Sequence, residues 1–302
     1  MQLRGFAIVY PFMTPCWPLL CLGFVASSAF GQIQVELKFP RLQYIVYEPG
    51  VANVTITNLT GRDVDLRDGS NQSWFGFEVT GSEGQSIPAI ATASTEPLSV
   101  AAGKRVMRKI NLTPLYGAHD FGTYRVRAHI YFADLNKFFY SATKVFEVTD
   151  ARPIWQKTVG IPRESGASGN ARTYSLMTNR FPDHTSLYIR VEDKDSGMVY
   201  ATYSLGQVIA FDQPQAEFDR SNQLHVLYCA APRTWSYARV GLNGELISRA
   251  SFAETKSRPH LVHSEDGVIK VAGGIMATPL TEAAGDNAAK LSARPPNAPQ
   301  DN

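Results

Sequence analysis

Apolar and polar side chains alternate with a period of two residues along most of this chain, and that period is the strongest constraint on its fold. Across residues 123–132, the apolar positions Tyr124, Val126, Ala128 and Ile130 alternate with charged or polar neighbours. A strand with one buried face has this period, whereas a helix requires 3.6 residues. No stretch keeps a helical period over three turns between capping residues. We therefore predict an all-β fold.

Turn residues divide this pattern into hairpins. Residues 134–137, Asp-Leu-Asn-Lys, separate the strand at 123–132 from a second apolar run at 138–148. Such a connection between two alternating runs predicts a hairpin with one buried and one wet face. Residues 51–58 and 74–79 are predicted to form further strands, since each runs into a turn containing glycine.

Three segments resemble parts of immunoglobulin-like sandwiches. Residues 120–126, Asp-Phe-Gly-Thr-Tyr-Arg-Val, resemble the tyrosine-corner strand, and Trp74 is similar to the core tryptophan of the opposing strand. Residues 47–50, Tyr-Glu-Pro-Gly, resemble the opening of bacterial immunoglobulin-like and fibronectin-III-like modules. The resemblance implies an N-terminal β-sandwich over residues 32–150, with Val126 in place of the second cysteine of antibody domains. That fold serves many unrelated functions.

A weak internal repeat follows a polar, glycine-containing stretch, so residues 151–170 are predicted to be a linker. The triplet Leu224-His225-Val226 recurs 45 residues later as Ile269-Lys270-Val271 and 37 residues earlier as Leu187-Tyr188-Ile189. The strand-turn-strand unit resembles a β-propeller blade, and we expect a second β-rich domain of hairpin repeats at 171–280. Two full units and half of a third are too few for a closed propeller. Either consecutive hairpins form an open sheet, or copies of the chain share blades.

Both ends of the chain differ from this pattern. Arg4 is the only charge before Glu36, residues 16–26 are almost wholly apolar, and small residues lie at 29–31. We predict a signal peptide at 1–31, with an uncleaved membrane anchor as the alternative, and no spanning segment after it. Residues 281–302 are rich in Ala, Pro, Asn and Asp, and are predicted to be disordered.

Charge and cysteine content limit the partners and the compartment. The formal net charge of +2 gives no electrostatic reason to bind nucleic acid or an anionic membrane. Cys16 and Cys21 lie in the predicted signal peptide, so Cys229 would be the one cysteine left and no intramolecular disulfide could form. Export without disulfides is more typical of bacteria, and predicts a secreted or periplasmic protein.

Motifs for chemistry are weak. The pair Ser141 and Lys144 has the spacing of penicillin-recognising acyl enzymes, but that motif must begin a helix and here lies among strand residues. His260 and His263 lie three apart on a predicted strand, which favours opposite faces. Asp193, two residues before a second aspartate, resembles half a calcium loop without its glutamate. We therefore predict no enzyme, no metal site and no cofactor.

Two side-chain clusters are the candidate binding surfaces. If the apolar face of 123–132 is buried, the other face of that strand forms an exposed strip. A second strand carries two aromatic residues and an arginine on one of its faces. The first candidate set is Arg125, Arg127, His129 and Tyr131; the second is Trp235, Tyr237 and Arg239. Arginine and aromatic residues are favoured at interface hot spots. Core packing is the alternative for the two aromatic residues of the second set.

Three functions remain after these exclusions. The first is an envelope binding or scaffold module that contacts another protein through exposed sheet faces. The second is a carbohydrate-binding module for cell-surface polysaccharide, in which Trp235 or Tyr237 stacks on sugar. The third is a hydrolase whose residues meet only in the folded chain. The sequence does not specify the oligomeric state.

Overall fold

The computed structural model describes residues 33–69, 71–91, 96–117, 120–161, 171–209 and 212–278. Nearly all of the regular structure in these residues is β, which confirms the predicted fold class. The predicted signal peptide at 1–31 and the predicted disordered tail at 281–302 lie outside the described residues.

The first half of the described chain consists of short strands, one α-helical turn and one 3-10 turn at Ala133–Leu135. These elements are β1 (Ile33–Lys38), β2 (Gln43–Ile45), β3 (Val51–Asn58), β4 (Val64–Leu66), β5 (Phe75–Thr80), β6 (Ser86–Ile87), β7 (Leu98–Val100), β8 (Arg105–Asn111), α1 (Thr113–Tyr116), β9 (Gly122–Phe132), β10 (Lys137–Tyr140) and β11 (Lys144–Thr149). One sheet has the order β1-β3-β8, a second has the order β2-β11-β9-β5-β6 with β10 also on β9, and β4 pairs with β7.

Both larger sheets contribute to one hydrophobic core. In β3 and β9 alternate side chains are buried, as the two-residue period requires. Val54, Trp74 and Val126 are fully buried in this core, and Phe146 stacks on Tyr124 with ring centres 5.2 Å apart. The apolar face predicted for 123–132 therefore packs inward and its opposite face points outward.

The second half consists of longer antiparallel strands. These are β12 (Arg152–Gly160), β13 (Ala171–Arg180), β14 (Thr185–Asp193), β15 (Val199–Gln207), β16 (Gln215–Phe218), β17 (Leu224–Ala231), β18 (Thr234–Val240), β19 (Leu246–Ala253), β20 (His260–His263), β21 (Ile269–Ala272) and β22 (Ile275–Thr278). Consecutive hairpins build two sheets of order β12-β13-β14-β15 and β16-β17-β18-β19-β22, while β20 and β21 form a separate hairpin. Side chains from both sheets share a core that contains Tyr174, Val191 and Val226.

The strand β12 corrects part of the predicted linker at 151–170. Residues 152–160 pair with β13 along their length, with one register shift after Pro153. Because β12 is an edge strand with most of its side chains exposed, its sequence shows no alternation, and an edge tolerates the proline. Residues 162–170 lie outside the described residues. The predicted domain boundaries stay a prediction.

The weak internal repeat relates strands that do not occupy equivalent positions in the two sheets. The 37-residue offset relates Leu187-Tyr188-Ile189 on β14 to Leu224-His225-Val226 on β17. Strand β14 is third in its sheet, whereas β17 is second in the next. The similarity therefore reflects the alternation of apolar and polar residues that all these hairpin strands share. It does not mark one complete sheet per repeat.

Polar and apolar contacts connect the two halves. Ile45 and Ala151 pack in one buried cluster with Met177 and Tyr188. Nearby, the Arg190 guanidinium donates to the backbone oxygen of Val46 at 2.6 Å. The buried Glu48 carboxylate accepts from Arg41 at 2.6 Å, and Arg41 also donates to the Tyr188 hydroxyl at 3.0 Å. Because these contacts join residues of the first half to residues of the second, relative motion of the two halves would break several hydrogen bonds and apolar contacts at once.

Candidate functional site

The outward face of β9 carries the first predicted set of binding residues. Arg125 is exposed, and Arg127, His129 and Tyr131 are partly buried, while their neighbours along the strand point into the core. The predicted orientation follows from the strand period, and the structure places these four side chains on one face.

The antiparallel partner strand β10 adds two aromatic rings to this face. Phe138 lies opposite Tyr131 and Tyr140 lies opposite His129. The ring centres of Phe138 and Tyr131 are 5.0 Å apart, and those of Phe138 and His129 are 5.6 Å apart in an edge-on arrangement. We call Arg127, His129, Tyr131, Phe138 and Tyr140 the aromatic face.

Arg127 is fixed at one end of the aromatic face. Its guanidinium donates two hydrogen bonds to one carboxylate oxygen of Glu78, at 2.6 and 3.0 Å. It also lies over the ring of Tyr140, 4.1 Å from the ring centre. Because Glu78 is directly opposite Arg127 in the β5-β9 ladder, the strand register creates this pair. Both side chains stay partly exposed, so a partner can still reach the guanidinium.

A glycine makes room for His129. Gly76 is directly opposite His129 in the ladder, and a methyl group at residue 76 would lie 2.6 Å from Nε2 of His129. The ring therefore lies against the backbone of β5. Burial lowers the pKa of His129 below its ordinary value, while Glu78 opposes this shift and Arg127 adds to it. Among the described residues, Nδ1 of His129 is buried without a hydrogen bond.

The other end of the aromatic face is held by a loop. The hydroxyl of Tyr131 donates to Oδ1 of Asn136 at 2.9 Å, and Asn136 closes the β9-β10 connection with a positive φ of 48°. The ring of Tyr131 also passes close to Gly69, where a methyl group would lie 3.0 Å away. Tyr140 keeps 43% of its surface exposed. The aromatic face therefore consists of rings held in place by these contacts and of one solvent-accessible cation, the guanidinium of Arg127.

The second predicted set does not form an exposed platform. Trp235 is 1% exposed and its indole N–H donates to a Glu254 carboxylate oxygen at 3.1 Å. The hydroxyl of Tyr237 lies 2.8 Å from Nδ1 of the buried His225, and Arg239 is partly buried beside it. The expectation that Trp235 stacks on sugar is wrong, because the hairpin β20–β21 packs over this face of the sheet.

The motifs tested for catalysis and metal binding have structural partners. The Ser141 hydroxyl accepts from the backbone N–H of Ala128 and donates to a backbone oxygen. Asp193 accepts the N–H groups of Asp195 and Ser196, which makes an ordinary turn. No group of three or more His, Cys, Asp or Glu side chains within the described ranges is placed to hold a metal ion.

One surface cavity of about 370 Å³ opens beside the tyrosine-corner segment. Two carboxylates, Glu83 and Asp120, and the exposed ring of Phe121 line it. Both carboxylates are exposed, and the described lining of the cavity contains no histidine or lysine to act with them. The cavity therefore provides little support for a hydrolase.

The two-residue period predicts β9 but gives no indication of Glu78 and Gly76, which orient Arg127 and His129. The glycine within the strand run 74–79 was the available signal, because such a glycine often marks a close approach of another group. Its partner could not be named without the register of β5 against β9.

Comparisons with known proteins give no family for this chain. No protein-family model matches it, and no curated protein matches it. Within the part of the chain that the structure describes, no helix has the length and apolar character needed to cross a membrane.

Proposed function

We propose that this protein is a non-enzymatic binding module that engages another protein through the aromatic face. The observation that carries the proposal is the fixed and reachable guanidinium of Arg127, held by Glu78 and stacked on Tyr140. Arginine and tyrosine are enriched at interface hot spots. Because both side chains are already ordered, binding costs less conformational entropy than it would for free surface residues.

A protein partner suits this face better than a polysaccharide. Sugar rings stack on an exposed flat aromatic face, but the guanidinium of Arg127 covers one face of Tyr140. The planes of Tyr131 and Phe138 are inclined at 46°, so these rings do not form a continuous platform. A protein surface can fill such an uneven patch with side chains and can pair a carboxylate with Arg127. Polysaccharide binding is the alternative that the experiment below tests.

The proposal includes an immunoglobulin-like fold for the first half. In support, the hydroxyl of Tyr124 donates to the backbone oxygen of Asp120 at 2.9 Å, as the tyrosine corner requires. Trp74 is buried in the same core as Val126. For the second half we propose two blade-like sheets in an open arrangement. Neither likeness selects a function, because these folds serve many.

We also propose that the protein is exported and acts in the bacterial envelope. The support is the composition of residues 1–31, together with the mature chain's single cysteine, Cys229, which is buried and free. An envelope setting makes an envelope protein the expected partner.

The test is affinity capture with purified protein as bait against a solubilised envelope fraction. The bait is compared with a variant carrying Arg127→Ala and Tyr140→Ala. A matched control carries Arg105→Ala and Met107→Ala, which are exposed residues on β8 of the other sheet. The captured protein is then purified and its Kd for all three baits is measured by calorimetry.

The proposal predicts that the double variant on the aromatic face weakens binding at least about tenfold, equivalent to about 1.4 kcal/mol. The β8 control keeps the wild-type Kd. Equal affinity of all three baits would refute the assignment of this surface. Retention on insoluble polysaccharide that the double variant abolishes, without any captured protein, would replace the protein partner with a glycan.

A further inference from the structure

The hairpin β20–β21 covers one face of the sheet β16-β17-β18-β19-β22 without sharing its backbone ladder. Leu261 and Val271 pack on the cluster that contains Leu227 and Trp235. Two side-chain bonds add to this packing. The Leu261 N–H donates to Oε1 of Gln215 at 2.8 Å, and the Arg220 guanidinium donates to the backbone oxygen of Glu265 in the hairpin turn at 3.3 Å. The hairpin is therefore attached by side chains, which can release as a group without unfolding the sheet.

His225 lies within the covered face and is 2% exposed. Its Nε2 lies 3.1 Å from a carboxylate oxygen of Asp219, and its Nδ1 lies 2.8 Å from the hydroxyl of Tyr237. The register places His225 between Glu217 on β16 and Arg239 on β18. From the hairpin, His263 reaches within 3.9 Å of Glu217.

These contacts suit a neutral imidazole. Neutral His225 donates from Nε2–H to Asp219 and accepts at Nδ1 from the Tyr237 hydroxyl, so both nitrogens are satisfied. Protonation turns Nδ1 into a second donor, so the Tyr237 hydroxyl must rotate and accept instead of donating. It also adds a positive charge beside Arg239 in a side chain that is 2% exposed, so this charge is held away from water while the hairpin is docked.

We propose that His225 is a proton-sensitive latch, whose protonation in mildly acidic solution releases the hairpin β20–β21 and uncovers the apolar face around Leu227 and Trp235. The proposal is independent of the aromatic face, which lies in the other half of the chain. An exported protein meets larger pH changes than a cytosolic one, so such a latch would couple exposure of this face to the surroundings.

The direction of the pH effect follows from linkage. Burial lowers the pKa of His225, Asp219 opposes the shift, and Arg239 and His263 add to it. A base whose pKa is lowered in the docked state binds its proton more readily when the hairpin is open. Docking is therefore at full strength above the ordinary histidine pKa of about 6.5 and weakens as pH falls below it.

The test is hydrogen exchange of residues 260–272 between pH 7.5 and 5.0, corrected for intrinsic exchange rates. We expect hairpin opening to increase by up to about tenfold per pH unit below about 6.5, until docked His225 itself titrates. Amides of β17 and β18 should keep their protection. The variant His225→Gln keeps one donor and one acceptor but takes up no proton, so it should lose the pH response.

His260→Gln is the matched control, since His260 is an exposed histidine on the same hairpin and should leave the response unchanged. An NMR titration of His225 in the unmodified protein provides a readout that does not depend on the folding of the variant. A pKa at or above the ordinary value would overturn the proposal. So would hairpin exchange that is independent of pH, or a pH response that persists in His225→Gln.

Discussion

Replacing Asp193 with alanine removes the carboxylate that neutralises a guanidinium with no exposed surface. Arg172 is 0% exposed, donates to Oδ2 of Asp193 at 2.8 Å and lies over the ring of Tyr200 at 4.0 Å. The other oxygen of Asp193 accepts the N–H of Ser196 at 2.8 Å. The same oxygen also accepts the N–H of Asp195 at 3.1 Å, so the variant loses an ion pair and the bonds that form the turn.

Breaking a buried pair from one side costs about 3–5 kcal/mol, because the remaining charge stays desolvated. That loss is a large fraction of a total stability of about 5–15 kcal/mol. With a urea slope of about 3 kcal/mol per molar, the midpoint should fall by roughly 1–1.7 M. Urea titration followed by tryptophan fluorescence measures this shift.

Asp195→Ala is the matched control, since the Asp195 side chain is exposed in the same turn and should shift the midpoint little. A midpoint for Asp193→Ala within about 0.3 M of wild type, below 1 kcal/mol at that slope, would refute the assigned cost.

Three further substitutions or treatments test separate contacts. Gly76→Ala should displace the ring of His129, cost about 1–3 kcal/mol and shift the His129 proton resonances; unchanged resonances would contradict the close approach. Tyr124→Phe removes the hydroxyl that donates to Asp120 and should lower the unfolding free energy by about 1 kcal/mol in urea, so a wild-type midpoint would count against that bond. Because burial raises the pKa of the Cys229 thiol, native protein should react far more slowly with a thiol reagent at pH 8 than denatured protein does, and equal rates would show that the thiol is exposed.

In residues 123–132 the sequence alone predicts which side chains are buried and which point outward. Their period of two assigned Tyr124 and Val126 to the core and Arg127 and His129 to the outward face, because strand geometry fixes that alternation. The sequence could not supply the register of β9 against its neighbours. Glu78 and Gly76, which hold Arg127 and His129, therefore became visible only in the structure.

Errors arose where burial depends on a distant segment. Trp235 alternates with its neighbours as an outward residue would, but β20–β21, more than twenty residues later, packs over it. Residues 152–160 show the reverse effect, since both faces of this edge strand are largely exposed and no apolar period marks it. His225 gave no signal either, because its partners Asp219 and Tyr237 come from a turn and a neighbouring strand.

Site-specific photo-crosslinking tests the aromatic face as the binding surface most directly. A photoreactive phenylalanine analogue replaces Phe138 in the centre of that face, or Met107 on β8, which is 58% exposed. Both proteins are irradiated with the envelope fraction and analysed by mass spectrometry. The account predicts one specific protein adduct from position 138 that Arg127→Ala abolishes, and none from position 107. The same adducts from both positions, or none from position 138, would contradict it.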